Sequence, residues 1–208
     1  MPPEDRFVAR FAAEPPQESL PYGRWAETLS AEFLAACLAI DSDGEDLGEP
    51  GDLVWFPDRT WNERTYQPVT TRTSNGFELY GYVSFIGAGD DGDPPGDFQA
   101  TADFTAETAE ANPDWQLDLC DEVIGTWRGE NGKRAAMTVV WGVALISGGA
   151  TATGELADLV VDQCALVQER FTLIAPDAYR GDLLDIKLFG RSGSELARES
   201  LYAEDDDE

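Results

Sequence analysis

Between Ala135 and Ile146 the chain reads AAMTVVWGVALI, a run whose apolar residues fall on both parities and leave no continuous polar side. In an extended strand successive side chains point to opposite faces. Met137, Val139, Trp141, Val143 and Leu145 would then share one face, and Ala136, Val140, Ala144 and Ile146 the other. Neither set is at home in water, so a strand made from this run is covered twice. The run predicts the central strand of an antiparallel sheet, with the rest of the chain wrapped to cover it.

The flanking segments supply that wrapping. Arg24 to Ile40 places Trp25, Leu29, Phe33, Ala36 and Ile40 at helical spacing, with Leu34, Cys37 and Leu38 widening the stripe, and predicts a helix laid on the sheet. Before it, Phe7, Val8 and Phe11 mark a short amphipathic piece ended by Pro15 and Pro16. Leu53 to Phe56 reads as a short strand closed by Pro57, and Asp58 to Glu63 as a turn. Tyr66 to Thr73 is β-branched, and Pro68 assigns it to a sheet edge or a strand start. Asn75 and Gly76 make a hairpin turn into the clearest amphipathic strand, in which Phe77, Leu79, Val83 and Phe85 oppose Glu78, Tyr80, Tyr82 and Ser84. Phe98 to Phe104 alternates in the same way, and so does the stretch from Trp115 towards Trp127.

Thr151, Thr153 and Glu155 then alternate with Ala150, Ala152 and Leu156. Leu159 to Ile174 fits a helical stripe as well as two short strands; FTLIA favours a strand there, stopped by Pro176. Leu184 to Leu188 and Leu196 to Tyr202 form a closing hairpin around GRSGS. The expected fold is mainly β (α+β), an antiparallel β-sandwich or barrel-like sheet with an N-terminal helical cover. One globular domain is expected over 1–203, its helical segment over 1–40 and its β part over 52–202, followed by a disordered acidic tail at 204–208.

Charge narrows the partners. With 41 Asp and Glu against 14 Lys and Arg, the 208-residue chain has a formal net charge of −27. Phosphate backbones and anionic membrane surfaces are repelled, so neither direct nucleic-acid binding nor membrane association is expected. No run reaches the length of a membrane span, and MPPEDRFVARF has no apolar core of signal length, which predicts a cytoplasmic protein. The acidity reads either as solubility, as in a salty habitat, or as complementarity to a basic protein partner. Cys37, Cys120 and Cys164 are far apart and read as free thiols.

The chain contains no histidine. This removes Ser/His/Asp and Cys/His nucleophilic arrangements and every metal site built on imidazole. Neither a GxxxxGK[ST] loop nor a GxGxxG turn is present, and no cofactor is expected. Carboxylate chemistry remains open, since two acidic residues facing each other across a cleft suffice for glycoside hydrolysis.

Glu78, Tyr80, Tyr82 and Ser84 are the candidate ligand contacts, a carboxylate among aromatics on one strand face; the alternative is an ordinary polar face turned to solvent. Asp41, Asp43, Glu45 and Asp52 occupy positions one, three, five and twelve of a calcium-loop pattern, but Asp46 stands where the turn requires Gly. Asp90, Asp91, Asp93 and Asp97 form a second acidic loop. Trp55 and Trp61, near Pro57 and Arg59, form an interface if exposed and core if buried.

In IGTWRG, Gly125, Thr126 and Trp127 resemble the Gly-x-Trp element that opens the first strand of calycin barrels, the lipocalin and avidin group. No function is carried over from these three residues. Three roles fit the sequence, in this order: a non-enzymatic interaction or regulatory protein with a basic partner, a small-molecule binder with an aromatic pocket, and a carboxylate-dependent hydrolase.

Overall fold

A computed structural model describes residues 20–87, 94–128, 134–177 and 183–201. The amphipathic piece at Phe7 to Phe11, the carboxylates Asp90, Asp91 and Asp93, and the tail 204–208 lie outside the described residues. The chain runs α1 (Gly23–Cys37), β1 (Val54–Trp55), β2 (Arg59–Trp61), β3 (Arg64–Arg72), β4 (Glu78–Ile86), β5 (Gly96–Thr105), β6 (Leu117–Arg128), β7 (Arg134–Ala144), β8 (Gly149–Leu156), β9 (Leu159–Ala165), β10 (Arg170–Asp177), β11 (Leu184–Gly190) and β12 (Glu195–Ser200). Every strand pairing is antiparallel. Among the described residues no helix is long and apolar enough to cross a membrane.

Three sheets result: a first sheet β1-β3-β4-β5 with β2 also on β3, a middle sheet β10-β7-β6, and an outer sheet β12-β11-β8-β9. Among the described residues the architecture is a sandwich with no closed barrel, and it has one more layer than a simple sandwich. Strand β7 explains this. Met137, Val139 and Trp141 pack with Tyr66 and Tyr82 of the first sheet and with Phe56, just beyond β1, whereas Val140 and Ala144 pack with Ala152, Leu156, Leu184, Ile186 and Leu188 of the outer sheet. The two parities of the apolar run thus serve two cores, and Trp141, Val139 and Val140 are wholly shielded from solvent. Its neighbour β10 does the same, sending Phe171, Leu173 and Ala175 one way and Ile174 the other.

A third core lies on the far side of the first sheet, where α1 docks. Leu29 and Phe33 meet Leu79, Val83 and Phe85, with Trp25, Cys37 and Ile40 at the margin, as the helical stripe requires. The Trp25 ring stands edge-on to Phe85 at 4.9 Å. Leu38, counted in the stripe, is instead the exposed C-cap of the helix.

Several boundaries differ from expectation. Asp58 to Glu63 is not all turn: β2 occupies Arg59–Trp61, and only Asn62 and Glu63 turn the chain, both with left-handed φ. Strand β3 is internal and Pro68 lies within it, although Pro68 predicts a sheet edge or a strand start. The Phe56 N–H donates to the Pro68 carbonyl at 3.0 Å, so the proline's absent N–H also points to the β1/β2 side. That side is interrupted between Val69, paired with Trp55, and Tyr66, paired with Arg59. Pro68 sits in the interruption, where no ladder bond is lost.

The ambiguous segment 159–174 is two strands joined by a turn at Gln168 and Glu169. Strand β10 passes through Pro176, which pairs with Met137, and ends at Asp177; as a terminal strand of its sheet it tolerates a missing donor. Trp55 is core, and Trp61 is half-buried against the middle sheet. A Cβ on Gly125 would meet the Trp61 ring at 2.8 Å, so Gly125 serves here as the seat of an aromatic ring. Gly125 to Trp127 lie near the end of β6 in an open sheet, where the calycin resemblance implies the start of a barrel.

Candidate functional site

The β4 face bearing Glu78, Tyr80, Tyr82 and Ser84 does not look out to solvent along its length. It is the face the middle sheet covers, and the four side chains meet different fates. Tyr82 is buried, with its ring edge-on to Tyr66 at 5.4 Å. The buried Ser84 hydroxyl accepts from Arg64 Nη1 at 3.2 Å and donates to the Gln99 carbonyl at 3.4 Å. Arg64 is held in turn by Asp97. Both side chains are thus engaged within the first sheet. Glu78 and Tyr80, nearer the start of the strand, border an open cleft of about 180 Å³ between the first sheet and β6.

Local rules put the other residues there. Thr105 is the β5 partner of Glu78, so it borders the same end of the sheet. Beyond it, Glu107 and Trp115 belong to the connection into β6, and Asp118 to Asp121 form its first turns of pleat. None of the nine bordering residues is basic, and four of them, Glu78, Glu107, Asp118 and Asp121, are carboxylic acids. Arg72 is the cross-strand partner of Glu78, but its Nη2 is engaged 2.7 Å from Glu110.

Partial burial without a paired cation has a predictable electrostatic result, since desolvation disfavours the charged form. The Glu78 carboxyl is pushed up to about 7, first by burial and then by the Asp118 charge, with Arg72 pulling the other way. Asp118 and Asp121 are raised mainly by burial as well, Asp121 with a further push from Asp177. Burial also lifts the Tyr80 phenol to about 12, helped by the charges of Asp103, Glu122 and Asp121. The Cys120 thiol, on the cleft wall, is raised by burial and by Glu78, Asp118 and Asp121, which keeps it protonated and unreactive. The cleft therefore combines negative potential, two aromatic walls and no cation of its own.

The acidic loop is arranged differently. Asp41 Oδ1 accepts from the Asp43 amide at 3.3 Å, and Asp46 Oδ1 from the Gly48 amide at 3.1 Å. These carboxylates cap their own turns. Among the described residues no group of three or more His, Cys, Asp or Glu is placed to hold a metal ion, so Asp41, Asp43, Glu45 and Asp52 are not gathered into a ligand set. None of Cys37, Cys120 and Cys164 is in a disulfide.

Sequence reasoning finds the β4 half of the cleft, because alternation puts Glu78 and Tyr80 on one face. It misses Asp118, Asp121 and Trp115, which reach the site only through the packing of two sheets. No protein-family model, curated protein or solved structure matches this chain.

Proposed function

We propose that this is a binding protein whose acidic, aromatic-walled cleft takes a cationic group, an ammonium or guanidinium, presented by a basic protein partner. The observation that carries the reading is the cleft itself: four carboxylic acids around Tyr80 and Trp115 with no basic residue on the wall. An entering cation would relieve the repulsion between Glu78 and Asp118 and lie against aromatic faces, which attract cations. The net charge of −27 would steer such a partner inward.

The test is titration with Nα-acetyl-arginine amide, followed by NMR of the Tyr80 and Trp115 side chains. Saturable shifts that weaken as salt rises are expected. The Glu78→Gln/Asp118→Asn variant should bind about tenfold more weakly or worse, in line with the loss of a charge-assisted contact of ~1.5–3 kcal/mol. Absence of saturation, or equal binding by the folded variant, would overturn the reading.

One observation favours a hydrolytic alternative. A carboxyl held near 7 beside a second carboxylate is the pairing an acid/base hydrolase uses. Turnover of nitrophenyl glycosides that disappears in Glu78→Gln would support it, and identical background rates for the two proteins would reject it.

A further inference from the structure

Tyr80 borders two clefts, and the second continues the first. The second holds about 90 Å³ and is bordered by Tyr80, Gly81, Thr101, Ala102, Asp103 and Glu122. Moving from one to the other follows the β4–β5 ladder from the Glu78/Thr105 pair through Tyr80/Asp103 to Tyr82/Thr101. Each two-residue step along a strand advances about 7 Å. Alternate side chains of an extended peptide recur on one face with that same interval. A Cβ on Gly81 would collide with the Thr101 carbonyl, so the glycine keeps β5 close enough to form this floor. Asp103 and Glu122, both exposed, give the second cleft its own negative charge.

The opposite wall is the edge of β6, a terminal strand of the middle sheet. Four successive residues, Asp118 to Asp121, border the first cleft. Neighbours on a strand point to opposite faces, so a cleft touches all four only by meeting the strand at its edge. The Leu145 N–H donates to the Gln116 carbonyl at 3.0 Å, while the Ala144 N–H turns the other way, to Glu169 at 2.8 Å. Alternation along an antiparallel ladder then directs the backbone groups of Asp118 and Cys120 to β7 and those of Leu119 and Asp121 outward, to the cleft side.

We propose that the two clefts form one track for an extended basic segment of a partner protein, with alternate Lys or Arg side chains entering the two clefts and the segment's backbone lying along the β6 edge. The proposal rests on the cation-binding reading and deepens it. Charge complementarity selects the occupant, since carboxylates line both clefts and neither wall carries a basic residue. The outward amides of Leu119 and Asp121 select an extended backbone over a helix, because only an extended chain pairs with a strand edge.

Calorimetry at low salt with three probes tests it: Ac-Ser-Lys-Ser-Lys-Ser-amide, Ac-Ser-Lys-Ser-Ser-Ser-amide and spermidine. The two-lysine peptide should bind at least about tenfold more tightly than the one-lysine peptide, because its second contact is intramolecular. In Asp103→Asn/Glu122→Gln, its affinity should fall to that of the one-lysine peptide on the unaltered protein. N-methylation walked along the two-lysine peptide should weaken binding at alternate positions. Equal affinity of the two peptides would overturn the track and leave the single-cation reading standing. No binding of the one-lysine peptide would overturn both. Spermidine binding as tightly as the two-lysine peptide, or N-methylation without effect at every position, would show that no peptide backbone is read and would likewise overturn the track.

Discussion

Arg59 and Glu78 are both partly dictated by neighbours they never meet in sequence, and they respond to burial in opposite ways. Arg59, on the first sheet, is almost wholly buried and bonds through Nη2 to Asp162 of the outer sheet. Asp162 also accepts the amides of Ile174 at 2.8 Å and Gln163 at 2.9 Å, so one carboxylate ties three sheets together. Removing the cation leaves that carboxylate buried and unbalanced. Arg59→Met should therefore cost ~3–5 kcal/mol in urea denaturation, whereas Arg59→Met/Asp162→Leu should recover much of the loss. A single variant as stable as the double would show that the pair holds nothing together.

Glu78 lacks such a partner, and the consequence is a pH dependence of defined sign. Its folded value of about 7 lies above the ordinary value of 4.5, so between those limits the folded protein holds a proton that the unfolded chain releases. The contribution is complete below about 4.5 and is lost as pH rises through 7. Arg72, Asp118, Asp121 and Cys120 surround the group, and only Arg72 opposes the shift. Glu78→Gln should narrow the gap between melting temperatures measured at pH 5 and pH 8. An unchanged gap would place the proton elsewhere, with Asp58, raised by burial to about 6, the next group to replace.

At the level of elements, contact distances separate glycines that sequence alone treats alike. A Cβ on Gly142 in β7 would lie 2.6 Å from the Asp118 carbonyl oxygen and 2.6 Å from Leu119. Gly142→Ala should therefore force β6 away and destabilise by ~1–3 kcal/mol. Gly154 in β8 has ordinary contacts at 3.5 Å and beyond, so Gly154→Ala should be neutral or stabilising by ~0.4–1 kcal/mol. Chemical denaturation of the pair decides, and equal losses would mean that the spacing of β6 and β7 is not set by Gly142. The strands themselves were legible in sequence wherever burial falls on one parity, as in β5, or on both, as in β7. Pro68 misled because its tolerance depends on a gap between two short strands, which no local pattern announces. The polar parity of β4 carries Glu78, Tyr80, Tyr82 and Ser84, and from sequence it reads as solvent-facing or ligand-facing; a second sheet lies over most of it. Half of the cleft was hidden for the same reason, since Asp118 and Asp121 meet Glu78 across a distance that periodicity does not see.

For the molecule as a whole, the dominant long-range quantity is charge. Forty-one acids against fourteen bases repel one another more strongly in the folded state than in an expanded chain. Screening should relieve this, so the melting temperature should climb between 0.02 M and 0.5 M sodium chloride, the range over which the Debye length shrinks from about 20 Å to a few ångströms. A flat or falling curve would mean that ion pairs such as Lys187–Glu155, 2.5 Å apart and buried in the outer sheet, outweigh the net repulsion.

From Met137 onward β7 presses on one core with Met137, Val139, Trp141 and Val143 and on another with Val140 and Ala144. Ordinary strands have a forgiving side, where replacements pass unnoticed at every second position. Here that rhythm should vanish, and a saturation scan from Met137 to Ala144 would return an unbroken block of intolerance. Evolution can repaint the flanks of this protein, but it must leave the shared partition almost untouched.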